Sequence, residues 1–193
     1  MKSILLTLLL AACQVQPTTP QQQPEPRPTL DDFAAKAVSL AGSRLSPVRQ
    51  NTVASLLVAV ANERFADDKT AEFWIALIGV ESGFDGSRTS SVGAVGLGQL
   101  MPKLAPEFAA QCGLGLGLMP VDVRDDWTNA HLSACLFRKL MSEQGSVPLA
   151  LAAYNAGAAS VGVKRLSQGG QASAETNGHV AKTWVLKSQA EAN

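Results

Sequence analysis

Apolar positions recur at three- and four-residue spacing along most of the chain, which is the period of an α-helix. The ranges with this spacing, and hence the predicted helices, are 31–42, 47–66, 71–82, 102–111, 126–143, 147–156 and 178–190. Ser46-Pro47 and Thr70 stand where N-terminal caps are expected for the second and third of these helices. Strand-like alternation is weak and confined to 94–97. The pattern therefore predicts a mainly α domain with minimal strand content.

The composition fits one globular domain with short appendages. The chain has 193 residues, is 46% hydrophobic and carries a formal net charge of zero, which allows a proper core. Proteins that bind nucleic acids normally show a basic excess or a basic stripe, and this chain has neither. No nucleic-acid partner is therefore expected. No apolar stretch reaches the roughly 20 residues that a membrane-spanning helix needs.

Residues 1–12 are predicted to be a signal peptide rather than part of the fold. Lys2 supplies a positive charge, residues 4–10 are apolar, and small residues lead to Cys13. Leu10-Ala11-Ala12-Cys13 resembles the box of bacterial lipoproteins, which directs lipid attachment to the cysteine and cleavage before it. An ordinary secretory signal or an uncleaved hydrophobic anchor is the alternative. In each case the protein is exported; Gln14 after the cysteine, rather than Asp, suggests by resemblance to sorting rules an outer-membrane lipoprotein facing the periplasm.

Residues 13–29 are rich in proline and glutamine and are expected to form a solvated tether. At about 3 Å per residue, an extended tether would span roughly 45 Å. Such a length suits a domain that reaches from a membrane, through lipidated Cys13, into a nearby polymer. An inert spacer is the alternative.

Two further cysteines, Cys112 and Cys135, remain in the predicted domain. An even pair in an exported protein suggests a disulfide, which here would close the glycine-rich loop at 113–118. Two buried free thiols are the alternative. Neither cysteine has a histidine at metal-ligand spacing, so no metal site is expected.

Glu81 is the strongest candidate for chemistry. It ends a predicted helix whose other faces are apolar, with Trp74, Leu77 and Ile78 on its own face, and Gly83 stands at the left-handed exit position. Burial and the negative end of the helix dipole both disfavour a charged carboxylate. A general acid requires this shift. The alternative is a helix-terminal glutamate whose carboxylate simply reaches solvent.

Three other patches could hold a ligand. Residues 93–102 are glycine-rich and include Gln99, although they lack the pattern of a phosphate loop. Tyr154, the only tyrosine, stands beside Asn155 at a predicted helix end. Residues 175–180 precede the last predicted helix. Each patch alone is equally typical of a turn or a cap.

The patches together resemble one family. Glu81-Ser82, then 96–102 (GLGQLMP), then 153–157 (AYNAG) follow the order of the soluble-lytic-transglycosylase (SLT, family 1) domain, a relative of goose-type lysozyme. Trp127-Thr128-Asn129 and Glu175-Thr176 are supporting matches, and the resemblance covers about 66–187. It implies a lysozyme-like α+β fold: a single compact helical domain with a substrate cleft. We therefore expect the domain itself at 66–190 and a helical extension packed on it at 30–65.

The resemblance also implies an activity on peptidoglycan glycan strands. The family breaks the β-1,4 bond between N-acetylmuramic acid and N-acetylglucosamine and leaves a 1,6-anhydromuramoyl end, without a metal or organic cofactor. Glu81 would be the single general acid and base. The other residues carried over would bind or orient substrate: Ser82 and Gln99 beside Glu81 and the N-acetyl group, Met101 in the cleft wall, Tyr154 near the carboxylate, Asn155 at the helix end, and Glu175 in the polar network.

Two positions depart from the family pattern. Gly98 replaces the methionine of the usual GLMQ, which is expected to loosen the packing around Glu81 or to alter sugar contacts. His179 replaces the aromatic residue that commonly follows the ET motif, a change interpreted here as peripheral.

Two rival functions stay open. Asp85 could be a second carboxylate in a lysozyme-type muramidase, although its flanking glycines favour a turn. A non-catalytic peptidoglycan-binding lipoprotein is the other rival, supported by Gly98. The biological setting is equally open among wall turnover, secretion or conjugation machinery, and phage entry or lysis.

Overall fold

The computed structural model describes residues 27–114 and 121–192. The predicted signal peptide, Cys13, most of the tether and residues 115–118 of the glycine-rich loop lie outside the described residues. Within them the chain forms α1 (Leu30–Ala41), α2 (Pro47–Arg64), α3 (Asp68–Ser82), a 3₁₀ helix (Pro102–Leu104), α4 (Ala105–Gln111), α5 (Asp126–Gln144), α6 (Val147–Ala156), α7 (Val161–Ser167) and α8 (Ala174–Glu191). The only extended pairs in this part of the chain are the bridges Thr89–Val95 and Val95–Leu100. The predicted mainly α fold is confirmed.

α3 is the central helix of the domain. Its side chains are buried all round, including the fully buried Trp74, Ile75 and Leu77. It packs against α8 and α1 most extensively and also against α2. A helix with apolar residues on every face must be enclosed by others, and the enclosure explains how a residue in its last turn comes to be half-buried.

α5 and α6 form a second group of packed helices in the domain. α5 packs on α6 and α2, and α6 packs on α8. A smaller apolar cluster, which includes Val95, Leu100 and Leu132, joins the 95–100 loop to α5. A disulfide between Cys112 and Cys135 ties the end of α4 to the middle of α5.

Two helix starts differ from the prediction. α3 begins at Asp68, because the Asp67 side chain accepts a hydrogen bond from the Thr70 backbone N–H and so caps the helix earlier. Thr70 is therefore not the cap. α8 begins at Ala174, capped by Ser173, so Glu175 lies in the first turn of the last helix and not before it.

α7 was not predicted, because seven residues are too few to show a clear helical period. Its one sequence signal is Ser160, whose side chain accepts from the Val163 backbone N–H as an N-cap. α1 and α2, which cover most of the predicted extension, pack on each other and on α3. None of the helices in the described part of the chain is long and apolar enough to cross a membrane.

Candidate active site

Glu81 lies in the last turn of α3, where Gly83 ends the helix in the left-handed conformation with φ of 66°. Its side chain is 15% exposed, and its Oε1 atom lies 3.0 Å from Nε2 of His179. The other carboxyl oxygen makes no hydrogen bond to any described residue. Glu81 is thus held through one oxygen while the second is free.

His179 lies in the second turn of α8 and is buried. Its second ring nitrogen, Nδ1, is buried without a hydrogen-bond partner among the described residues. The interpretation of His179 as peripheral is therefore wrong, since it contacts Glu81 directly. Sequence reasoning missed it because nothing local shows that the second turn of α8 packs against the last turn of α3, 98 residues away.

Tyr154 lies at the end of α6 and donates a hydrogen bond to the Gly98 carbonyl at 2.8 Å. Burial raises the pKa of the Tyr154 phenol well above its usual value, and the negative charge of Glu81 raises it further, against an opposing hydrogen bond with Ser133. The phenol therefore stays protonated as a donor.

Gly98 packs tightly against its neighbours. A Cβ atom there would lie 2.4 Å from Ser133 Cβ and 2.9 Å from the Tyr154 hydroxyl. Ser133 in turn accepts a hydrogen bond from the Trp74 indole at 3.2 Å. The expectation that glycine at 98 leaves a loose pocket is wrong, because Ser133 and Tyr154 fill the space that a side chain would take.

Asn129 fixes the loop that carries Gly98 and Gln99. Its Oδ1 accepts from the Gly98 backbone N–H at 2.7 Å, and its Nδ2 donates to the carbonyls of Val95 at 2.9 Å and Val123 at 2.8 Å. The side chain is fully buried on α5. Its place in the Trp127-Thr128-Asn129 match was the sequence signal for it.

The side-chain amide of Gln99 forms hydrogen bonds with the backbone around its own loop. It has φ of 49°, an uncommon value for a residue other than glycine, and its Nε2 donates to the carbonyls of Gly96 and Arg88. Ser82 does not reach Glu81: its hydroxyl donates to the Ile78 carbonyl inside α3. The side chains of Gln99 and Ser82 therefore form hydrogen bonds with backbone carbonyls rather than with Glu81.

The polar link between α6 and α8 runs through Thr176 rather than Glu175. Thr176 Oγ1 donates to Asn155 Oδ1 at 3.1 Å, so Asn155 holds the end of α6 to the first turn of α8. Glu175 is exposed and makes no hydrogen bond or ion pair with the described residues. Asp85 is a turn residue whose carboxylate accepts from the backbone N–H and the hydroxyl of Ser87, and these hydrogen bonds hold its pKa below the usual value.

Two cavities are lined by residues named above. One, of about 310 Å³, is mainly apolar and is lined by Gln99, Met101 and Tyr154 among others. The other, of about 490 Å³, is lined by polar groups that include Ser82 and Asp85. Ser82, the residue after Glu81, thus lines the polar cavity, and Tyr154 and Gln99 line the apolar one. Across 27–114 and 121–192 no group of three or more His, Cys, Asp or Glu side chains could hold a metal ion.

Known proteins share this architecture. Two solved structures are similar: an inactive mutant of the lytic transglycosylase Slt from Pseudomonas aeruginosa, with 25% identity over 69% of this chain and a TM-score of 0.55, and the 70 kDa soluble lytic transglycosylase from Escherichia coli, with 19% identity over 83% and a TM-score of 0.60. The chain spans only 23% and 28% of their respective lengths. Comparison with curated proteins finds no match. The transglycosylase SLT domain family matches residues 58–177, more than half of the sequence, and the chain belongs to that family.

Proposed function

We propose that the chain is a peptidoglycan lytic transglycosylase in which Glu81 is the single general acid and base. The observation that carries the proposal is the state of Glu81: a half-buried carboxyl at the end of α3, with one oxygen held by His179 and the other without a hydrogen bond to any described residue. Asp85, the acidic residue nearest to it in sequence, is engaged by Ser87. The match to the SLT domain family and the similarity to two lytic transglycosylases support the same substrate.

Each proton in the reaction passes through the free oxygen of Glu81. The protonated carboxyl donates to the glycosidic oxygen as the bond from the muramoyl C1 to that oxygen breaks. The resulting carboxylate removes the proton of the muramoyl C6 hydroxyl while O6 forms a bond to C1. Glu81 ends in its starting state and no water is consumed. An internal nucleophile avoids the entropic cost of recruiting a second reactant, so one carboxyl can serve both steps.

The surrounding residues would hold the sugar against this carboxyl. Met101 and Gln99 line the apolar cavity and Tyr154 secures the loop through the Gly98 carbonyl. Ser82, Asn155 and Glu175 would act through position or at the cleft edge. We further propose export, with the domain anchored through lipidated Cys13 at the outer membrane and facing the periplasm, where glycan strands are its partner.

The test is product analysis with full-length protein and purified murein. Wild type is expected to release 1,6-anhydromuramoyl products detectable by mass spectrometry. Glu81→Gln should lower turnover by about 10³-fold, within the range for removal of a general acid and base, and should keep the thermal stability of wild type. Asp85→Asn is the matched control and should retain activity.

Three other outcomes would change the assignment. Reducing muramic ends in place of anhydro ends would identify a hydrolase. Equal activity of Glu81→Gln and wild type would remove Glu81 from the mechanism. Binding of murein without any cleavage by the wild type would favour a non-catalytic peptidoglycan-binding protein.

A further inference from the structure

His179 is the described side chain that contacts the carboxyl of Glu81. Nε2 lies 3.0 Å from Oε1, and the ring is only 8% exposed. The titratable groups about one turn from His179 on α8 are Glu175 and Lys182, both exposed, and on α6 burial and then the charge of Glu81 raise the pKa of the Tyr154 phenol. Among the described residues, no lysine or arginine forms an ion pair with Glu81. The imidazole is thus the hydrogen-bonding partner that the structure gives Glu81.

The unpartnered Nδ1 atom indicates which proton the ring carries. A buried N–H without an acceptor is rarer and more costly in proteins than an acceptor without a donor. Because Nδ1 has no partner among the described residues, the favoured neutral tautomer has its proton on Nε2. In that tautomer Nε2–H donates to Oε1 of Glu81.

This hydrogen bond suits both states that the proposed reaction requires of Glu81. When the carboxyl is protonated, Oε1 accepts from Nε2–H and the acidic proton lies on Oε2, the free oxygen. Once that proton has left, the same bond becomes charge-assisted and therefore stronger. An interaction that strengthens as the reaction proceeds lowers the barrier instead of merely tightening binding.

The ring is held in place by the helix that carries it. Thr176, one turn earlier on α8, is hydrogen-bonded to Asn155 at the end of α6. Thr183, one turn later, donates to the His179 carbonyl at 3.0 Å, and α8 packs along α3. The distance from Nε2 to Oε1 is therefore set by the packing of three helices.

We propose that His179 is a positioning residue for Glu81: Nε2–H holds Oε1, turns Oε2 and its proton toward the sugar, and stabilises the carboxylate that forms when the proton leaves. The proposal rests on the proposed function, and it assigns to this chain a donor at a position where the family commonly has an aromatic residue.

A matched set of variants tests the role. The amide nitrogen of glutamine can occupy the place of Nε2, whereas that of asparagine reaches only the place of Nδ1. His179→Gln should keep kcat within about fivefold of wild type. His179→Asn and His179→Phe should lower kcat by about 10- to 100-fold, the range for a hydrogen bond to a charged group, with KM within about twofold.

The outcomes separate this role from packing and from the proposed function. The activity of each variant is measured below its own melting temperature. If His179→Phe fails to fold, the ratio of kcat for His179→Gln to kcat for His179→Asn decides the test. Equal kcat for Gln and Asn, whether both low or both unchanged, overturns the positioning role. Glu81→Gln is measured alongside: if it stays active the proposed function fails, whereas an inactive Glu81→Gln with a fully active His179→Asn sinks only the role of His179.

Discussion

The two glutamates of α3, one buried and one half-buried, lie toward opposite ends of the helix and have opposite surroundings. Glu72, in the second turn, is 1% exposed and is paired with Arg27 at 2.6 Å and Lys187 at 3.0 Å. Glu81, nine residues later and about 14 Å along the helix, is bonded to His179 alone among the described residues. α8 supplies both Lys187 and His179, so the contact between α3 and α8 contributes to both sites.

This difference separates a structural acid from a candidate catalytic one. Two cations compensate the charge of Glu72, so this buried carboxylate holds Lys187 of α8 and Arg27 to α3. Glu81 has one donor, His179, and one oxygen without a hydrogen bond to any described residue, so this oxygen is available to a ligand. The same helix thus carries two acids in different roles, because their burial and their partners differ.

The structure around the candidate site is held by uncharged hydrogen bonds. Asn129 bonds three backbone groups, Tyr154 bonds the Gly98 carbonyl, and Trp74 bonds Ser133. The Glu72 end is held by an ionic cluster that also includes Glu191. A new buried charge should therefore lower the stability of the fold at the Glu81 end of α3. At the Glu72 end, the loss of a charge should lower it.

The largest effect is expected from Asn129→Asp. The substitution keeps the shape and the acceptor for the Gly98 N–H, but it places a carboxylate oxygen against the carbonyls of Val95 and Val123. We expect a loss of about 4 kcal/mol in the free energy of unfolding, because an uncompensated charge is buried. Urea unfolding measures this, with the exposed Asn51→Asp on α2 as control, which should stay within about 0.5 kcal/mol of wild type. Equally small losses of stability in Asn129→Asp and Asn51→Asp would show that the Asn129 position tolerates a charge.

Lys187→Met should have the next largest effect. Methionine keeps an apolar stem beside Phe73, but Glu72 then retains only the half-exposed Arg27. We expect a loss of about 3 kcal/mol, since removal of one partner leaves a buried charge poorly compensated. Activity per folded molecule should be unchanged. Lys164→Met, which alters an exposed lysine outside the cluster, is the control, and a loss of murein cleavage with Lys187→Met would contradict the division between the two ends of α3.

The sequence predicted the helices whose apolar period and capping residues lie close together in the chain. It also placed Glu81 in a buried last turn, because the apolar residues and Gly83 are within ten positions of it. α7 and the true starts of α3 and α8 were missed, since a seven-residue helix carries little periodicity and an aspartate cap outcompeted a nearby threonine.

The partners of the two carboxylates could not be read from the sequence. Glu72 meets Lys187 across 115 residues, and Glu81 meets His179 across 98. The space at Gly98 is filled by Ser133 from another helix, which no local pattern shows. Motif order identified the family, but pairing across helices determines what each acid can do.

Arg27→Gln should have a smaller effect than Lys187→Met. Arg27 bonds both oxygens of Glu72, but its side chain is 45% exposed, so solvent screens the pair. Glu72 also keeps Lys187. We expect a loss of about 1 kcal/mol in the free energy of unfolding, measured by urea unfolding with Arg44→Gln, an exposed arginine on the α1–α2 loop, as control. A loss as large as that of Lys187→Met would mean that the two cations contribute equally.

The smallest effect concerns the second histidine, and it separates a pH effect on folding from one on catalysis. His131 accepts a hydrogen bond from Arg64 at 2.9 Å, and burial first and the Arg64 charge second hold its pKa below the usual 6.5. As the pH falls below that value the unfolded chain binds a proton that the folded chain refuses, so stability is full above it and declines toward the lower folded pKa. His131→Gln, whose amide oxygen can accept from Arg64, should therefore show a smaller decline in melting temperature between about pH 7.5 and pH 5. It should leave the pH profile of murein cleavage unchanged, because the described partners of His131, Arg64 and Glu63, are outside the candidate site. An altered activity profile with an unaltered slope of stability against pH would contradict this prediction.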